Sequence, residues 1–101
     1  MRDRCAALVG ALLFAVGLSA LGATFRAEIE GNKVVVYSSS TKDEACYSTV
    51  TFSYKKGDGR EVRKFVCNTF ARKGKDFRFC ERGDESYVDL RIEEQATGTC
   101  G

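Results

Sequence analysis

Four cysteines, Cys46, Cys67, Cys80 and Cys100, lie in the segment 24–101 of the chain. An even number of cysteines in a short segment is typical of a disulfide framework in an exported domain, which such a small core needs for stability. Their wide spacing includes no Cys-x-x-Cys pair, which disfavours a zinc site or a redox dithiol. Three connectivities are open. We favour Cys46–Cys67 with Cys80–Cys100, because each pair brackets neighbouring strands. Each bond would close a loop of about 20 residues and contribute about 3 kcal/mol to stability.

The segment 1–23 has the pattern of a secretory signal peptide. Arg2 and Arg4 precede an uncharged run over 5–25, whose end is rich in Ser, Ala and Gly. That run is also long enough to cross a membrane as a helix, so an uncleaved anchor is the alternative. We predict a cleaved signal peptide over 1–23, a single domain over 24–101, and a periplasmic or secreted location without a membrane span after cleavage.

The segment after residue 23 has the composition and alternation of β-strands. Val, Phe, Tyr and Thr dominate it, and Leu90 is its single leucine. Apolar and polar residues alternate most clearly over 46–54, and the Gly-Asp-Gly sequence at 57–59 predicts a hairpin turn. The last strand is expected over 88–92, followed by a polar tail over 94–101 that would be loose without Cys100. About six short strands with regular turn signals predict an all-β, small antiparallel sandwich.

The order of strands and turns resembles small exported immunoglobulin-like modules of the FxLYD type. The matching stretches are Val34–Ser40, Val50–Gly59, Gly74–Phe77 and Tyr87–Ile92, which together cover most of the segment. The chain departs from the pattern in lacking a proline before Gly74 and in carrying four extra cysteines. The resemblance implies an immunoglobulin-like β-sandwich with an accessory or binding role in the cell envelope. It supplies no catalytic residues.

Catalysis has little support in the residue types present. The chain has no His, which removes Ser-His and Cys-His nucleophile pairs and His-ligated metals. The serines at 38–40 are typical of a turn, and the adjacent carboxylates at 84–85 and 93–94 point to opposite faces of a strand. Asp43 and Glu44 lack EF-hand spacing. We predict that the protein is not an enzyme and has no metal or cofactor.

Positive charge is concentrated in the segment 55–82, which holds ten basic and four acidic residues and a net charge of +6. The flanking segments 24–54 and 83–101 carry −1 and −4. This segregation is compatible with an anion-binding surface, and equally with lysines that keep edge strands from pairing. The whole chain has a net charge of only +2, which disfavours nucleic acid as a partner. The candidate anion-binding residues are Lys55, Lys56, Arg60, Arg63, Lys64, Arg72, Lys73, Lys75, Arg78 and Arg82.

The aromatic residues divide into a core set and one candidate contact. Phe52, Phe65 and Phe79 are predicted to be buried, whereas Tyr47 lies on the opposite strand face and is the candidate for an exposed contact. Two functions follow. The first is an exported, non-catalytic binding or structural module of the cell envelope that contacts another protein. The alternative is a binder of anionic ligands (envelope polyanions, lipid head groups or acidic proteins) through 55–82, with strongly salt-dependent affinity.

Overall fold

The computed structural model describes residues 22–101, so the predicted signal peptide lies almost entirely outside the described residues. Within this range no helix is long and apolar enough to span a membrane. Six strands account for most of the described chain. They are β1 (Thr24–Glu30), β2 (Lys33–Ser40), β3 (Glu44–Lys56), β4 (Gly59–Ala71), β5 (Gly74–Gly83) and β6 (Arg91–Cys100).

The strands form two antiparallel sheets of three strands each. Sheet 1 has the order β1-β2-β5, and sheet 2 has the order β4-β3-β6. The prediction of an all-β antiparallel sandwich is therefore confirmed. The pairing of the second strand with the fifth and of the third with the sixth matches the B–E and C–F pairings of immunoglobulin-type sandwiches. β3 and β4 have 13 residues each, longer than the short strands that we expected.

Local sequence explains the two hairpins. At the β1–β2 turn Gly31 has a φ of +64°, and at the β3–β4 turn Gly57 has a φ of +60°, a conformation that glycine adopts without a steric penalty. The two-residue turn at Gly57-Asp58 sets the register of β3 against β4. The ladder then runs without interruption from Lys56↔Gly59 to Glu44↔Ala71.

The core lies between the sheets and is built largely from the inward faces of β2, β3 and β4. Phe52 is completely buried, and Phe65 and Phe79 are 6% exposed, which confirms the predicted core phenylalanines. Tyr87 packs against this core, and its ring centroid lies 4.7 Å from that of Tyr54 and 5.3 Å from that of Phe52. Each such side chain contributes roughly 1.5–3 kcal/mol through burial.

The prediction for the last strand is wrong in position. The segment 84–90 is a loop, and β6 begins at Arg91 and continues to Cys100, through the segment that we expected to be a polar tail. Asp84 starts this loop by accepting hydrogen bonds from the backbone N–H and the hydroxyl of Ser86. Asp89 has a φ of +55°, which breaks the extended conformation just before β6. Alternation around Leu90 therefore marked a turn that is held by side chains, not a strand.

The predicted disulfide pairing is also wrong. Cys46 is bonded to Cys100, which joins β3 to β6 within sheet 2, and Cys67 is bonded to Cys80, which joins β4 of sheet 2 to β5 of sheet 1. We call the second bond the intersheet disulfide. The hairpin register places Cys46 opposite Thr69, not Cys67, whereas Cys46 and Cys100 are direct partners across β3 and β6. Two disulfides indicate an oxidising compartment.

The two long sides of the sandwich are closed in different ways. On one side a bulge in β6 sets Gln95 and Ala96 opposite the single residue Val50, and Gln95 reaches β1. Its side-chain Oε1 accepts a hydrogen bond from Ala27 N–H at 2.5 Å, and its Nε2 donates to Ala27 O at 3.2 Å. We call this contact the β1–β6 seam. On the other side the intersheet disulfide links β4 to β5.

Candidate functional site

The outer face of sheet 1 is covered by paired charges. Arg26 lies 2.6 Å from Asp76, while Arg78 lies 2.9 Å from Glu30 and 2.8 Å from Glu81. These groups are half-exposed, so each pair contributes little to stability. Their arrangement nevertheless satisfies the donors and acceptors of the face internally, which leaves little unpaired charge to attract a ligand.

Titration of this face follows from the same contacts. The Tyr37 hydroxyl donates a hydrogen bond to Glu30. This bond and the one from Arg78 hold the pKa of the Glu30 carboxyl below its usual range. The same bond raises the pKa of Tyr37, because ionisation would remove the donated proton. Hydrogen bonds from Arg78 and Lys33 lower the pKa of Glu81. The network therefore favours the charge state that each group has near neutral pH.

The outer face of sheet 2 differs along its length, since Lys55, Arg60, Arg91 and Glu94 place charges on the half near the β3–β4 hairpin, whereas the half around Tyr47 is uncharged and partly apolar. The described range 22–101 contains six exposed large hydrophobic side chains, and Tyr47, Val62, Val66 and Phe70 on this face are four of them, at 47%, 60%, 48% and 54% exposure. We call it the tyrosine face. Its members are Ala45, Tyr47, Thr49 and Thr51 of β3, Val62, Lys64, Val66, Asn68 and Phe70 of β4, and Thr97 and Thr99 of β6.

Strand register sets the geometry of the tyrosine face. Tyr47 stands between Asn68 on one side and Thr99 on the other, and Thr49 stands between Val66 and Thr97 in the next row. Side chains that are directly opposite on antiparallel strands are about 4.5–5.5 Å apart at Cβ. A shallow hollow of about 260 Å³ lies beside Tyr47 and is lined by Thr49, Thr97, Gly98 and Thr99. The face thus combines a tyrosine ring, aliphatic groups and hydroxyls.

The prediction that Tyr47 is exposed is confirmed. Sequence reasoning missed the β4 members of the face. Val62, Val66 and Phe70 recur at every fourth position on a strand, which is compatible with one face of a sheet, but alternation does not reveal whether that face is the inner or the outer one. The pairing of β4 with β3 decides it, because Phe65 and Cys67 take the inward positions.

The basic segment does not form one surface. Lys55, Lys56 and Arg60 lie at the β3–β4 hairpin, whereas Arg72 and Lys73 lie just beyond the other end of β4. A 13-residue strand is about 40 Å long, so the two groups stand at opposite ends of the molecule. Anion binding by the whole segment at once would require a ligand that spans this length.

Several basic side chains already have partners. Arg60 donates to Ser53 and lies 2.9 Å from Asp89, and Arg63 lies 3.1 Å from Glu61. The Glu61 hydrogen bond raises the pKa of Arg63. Lys56 is 3.9 Å from Glu61, Arg78 belongs to the sheet 1 network, and the Arg82 guanidinium lies 5.4 Å from the Phe65 ring centroid. The candidates that form no salt bridge within the range 22–101 are Lys55, Lys64, Arg72, Lys73, Lys75 and Arg82.

Two of these lysines, Lys73 and Lys75, line a second hollow, which we call the lysine hollow. It measures about 290 Å³, and the other lining residues are Gly22, Thr24, Ser39, Ser40, Thr41 and Gly74. No described acidic residue lines it. Asp43 lies nearby, where its carboxylate accepts a hydrogen bond from the Lys73 backbone N–H at 2.6 Å. The hydroxyl-bearing residues were not predicted as part of any site, because three different strands or turns contribute them.

The serines at 38–40, whose sequence is typical of a turn, lie at the end of β2. Ser39 Oγ accepts a hydrogen bond from Asp76 N–H, and Ser40 Oγ donates to Lys42 O. Ser38 Oγ is buried and has no hydrogen-bond partner in the described part of the chain.

One group of potential metal ligands is found in the described range 22–101, formed by Glu44, Cys46 and Cys100. Its two sulfur atoms are bonded to each other, which leaves no thiolate to coordinate a metal.

Comparison with known proteins adds no further information. No family model, curated protein or solved structure matches this chain. The FxLYD resemblance stays a prediction that rests on the sequence stretches given above. Function must therefore be argued from the two faces and the lysine hollow.

Proposed function

We propose that the protein is an exported, non-catalytic binding module of the cell envelope whose tyrosine face contacts another protein. The observation that carries the proposal is the contrast between the two outer faces. Paired charges cover sheet 1, whereas on sheet 2 the exposed side chains of Val66 and Phe70 lie diagonally beside Tyr47. Val62 lies apart from them, beyond Lys64. An exposed apolar patch rimmed by polar residues marks an interaction site in soluble proteins.

The composition of the tyrosine face suits a protein partner. Tyrosine is enriched at interfaces and among the residues that dominate binding energy, because it buries a large ring with few rotatable bonds. The surrounding threonines offer hydroxyls that can pair with a partner's backbone. Lys64 and Glu94, the charges closest to its centre, lie in the row of Thr51, between Val62 and the rows of Thr49 and Tyr47. Binding through the central rows should therefore change little with salt.

Export is supported by two observations of different kinds. Both disulfides require an oxidising compartment to persist. The pattern over residues 1–23 is typical of a secretory signal. A periplasmic or extracellular location of the binding module fits both observations.

Site-directed photo-crosslinking in the native host tests the proposal. A photoreactive residue at Thr49, in the centre of the tyrosine face, should link to a partner protein, whereas one at Glu28 on the outer face of sheet 1 should not. The Thr49 product should disappear in the Tyr47→Glu variant and persist between 50 and 500 mM salt. Equal cross-linking from both positions, or no loss with Tyr47→Glu, would reject the tyrosine face as the binding surface.

The lysine hollow supports a second candidate function, the binding of small anionic groups. Lys73 and Lys75 line it together with Thr24 and Thr41, and Arg72 precedes Lys73 in the chain. Affinity for vesicles rich in phosphatidylglycerol should then fall steeply with salt. It should also drop at least tenfold when Arg72, Lys73 and Lys75 are all replaced by Glu. Vesicle binding that survives this reversal would remove the candidate.

A further inference from the structure

β4 is an edge strand whose free side is unusually regular. Within the described chain no strand pairs with β4 on the side away from β3. Its register against β3 is unbroken from Gly59 to Ala71, with no bulge to twist the edge away. In an antiparallel ladder every second residue turns its N–H and C=O away from the paired neighbour. β4 therefore presents a row of backbone donors and acceptors, which is a template for another strand.

The common protections against edge pairing cover only half of β4. Arg60, Glu61, Arg63 and Lys64 place charges along its first half. The second half, Phe65–Ala71, contains no charged residue. The β6 edge of the same sheet is better protected, since the β1–β6 seam covers part of it.

We propose that a second copy of this chain pairs with β4 in antiparallel orientation, with the two-fold axis at Val66. This register sets Val66 against the second copy's Val66 and Val62 against the second copy's Phe70. The three exposed apolar residues of β4 are equally spaced, so this axis alone matches all of them with apolar partners. Cross-strand pairs of this type contribute roughly 0.2–1 kcal/mol each.

Charge disfavours one competing register. With the axis at Val66, Lys64 stands opposite the second copy's Asn68, and the pairs from Glu61 to Ala71 contain no like charges. Arg60 meets the second copy's Arg72 only beyond the end of β4. An axis at Asn68 would leave Val62 without an apolar partner, and an axis at Lys64 would set that lysine against itself. Like charges directly opposite on paired strands are destabilising.

The resulting dimer has a continuous six-stranded sheet in the order β6-β3-β4-β4-β3-β6. The two tyrosine faces join into one surface across the axis, which would give a partner a site of double width. The inference concerns the strand edge and does not depend on the proposed function, which concerns the exposed face around Tyr47. A single strand pair lies at the small end of stable interfaces, so the dimer should have a Kd in the micromolar range.

Sedimentation equilibrium of the oxidised domain tests the dimer. The parent protein should change from monomer to dimer between about 1 and 500 µM. Val66→Lys, which sets two ammonium groups against each other at the axis, should weaken dimerisation at least 50-fold. The matched control is Val88→Lys, which changes another exposed valine, at 56% exposure, in the loop before β6 and should leave the Kd within twofold. A circular dichroism spectrum and melting curve for each variant establish that it folds.

Disulfide trapping tests the register itself. Directly opposed residues have Cα atoms about 4.5–5.5 Å apart, within the range that a disulfide bridges. Val66→Cys should form a covalent dimer on mild oxidation. Lys64→Cys and Asn68→Cys should not do so alone, because each would lie about 13 Å from its own copy along the strand, but should cross-link when mixed.

A parent chain that stays monomeric at 500 µM would overturn the dimer. A dimer that Val66→Lys leaves intact, or that Val66→Cys fails to trap, would overturn the β4 register. Photo-crosslinking from Thr49 in the parent chain at or below about 1 µM, where the monomer prevails, reads the proposed function separately, because no residue of the tyrosine face is changed.

Discussion

Replacing Gln95 by leucine should open the β1–β6 seam, because the Gln95 amide supplies both of its hydrogen bonds. Oε1 accepts from Ala27 N–H at 2.5 Å, and Nε2 donates to Ala27 O at 3.2 Å. The Ala27 residue is 4% exposed, so its backbone groups have restricted access to water. Leucine has a similar volume and keeps the packing, but it can form neither bond.

The expected loss of stability is about 2 kcal/mol. Each hydrogen bond contributes about 1 kcal/mol net, and a buried group left without a partner costs about 1–3 kcal/mol. We take the lower end because Gln95 is itself exposed, which lets water reach the vacated position. For a domain of this size, about 2 kcal/mol corresponds to a Tm lower by roughly 8–16 °C.

Guanidinium denaturation with the disulfides intact measures this effect. Thr99→Val is the matched control, because Thr99 is another exposed residue of β6 and its side chain forms no hydrogen bond within the range 22–101. This substitution should shift the free energy of unfolding by less than about 0.5 kcal/mol. If Gln95→Leu unfolds with the free energy of the parent, the seam makes no net contribution and the reasoning fails.

Three further outcomes are expected. Gly98→Ala should destabilise the domain by about 1–3 kcal/mol, because the added Cβ would lie 2.5 Å from the Tyr47 backbone oxygen and 2.7 Å from the Phe25 ring. Gly59→Ala is the control, since a Cβ there meets nothing within 4 Å and should leave stability unchanged in the same denaturation assay. Removing the β3–β6 disulfide should lower the free energy of unfolding by about 4 kcal/mol, and removing the intersheet disulfide should lower it by about 3 kcal/mol, because the bonded cysteines are 54 and 13 residues apart. Equal losses in the denaturation assay would argue against loop entropy as the origin of the stabilisation. Tyr37→Phe should raise the pKa of Glu30 in an NMR titration, because it removes the hydroxyl that donates to the carboxylate. Since folding depresses the pKa of Glu30, this group stabilises the fold above a pH of about 4.3, and the stabilisation is lost on acidification. An unchanged pKa would mean that the hydroxyl bond is not formed in solution.

The core and the hairpins were predictable from local patterns. Alternation along β3 placed Phe52 inside and Tyr47 outside, because successive side chains on a strand point to opposite faces. Glycine at position 57 marked the hairpin turn, since few other residues adopt a positive φ at low cost. Such signals need only the neighbours of a residue in the chain.

The disulfide pairing was within reach of the same reasoning. A two-residue turn at Gly57-Asp58 makes Thr69, not Cys67, the partner of Cys46. Counting outward from the turn would have disfavoured the pairing that we predicted. The true partner, Cys100, follows only from the pairing of β6 with β3, which no turn connects directly.

The sequence by itself determined the strands as far as Gly83, the two hairpin turns and which phenylalanines are buried, because these depend on side-chain alternation and local backbone preference. Only the tertiary structure decided that basic residues of the segment 55–82 gather at two opposite ends of β4, that Gln95 closes a seam with Ala27, and that an apolar row on β4 meets Tyr47 on one exposed face. Those features depend on which strands become neighbours. That choice is made by packing among residues far apart in the chain, which local periodicity does not encode.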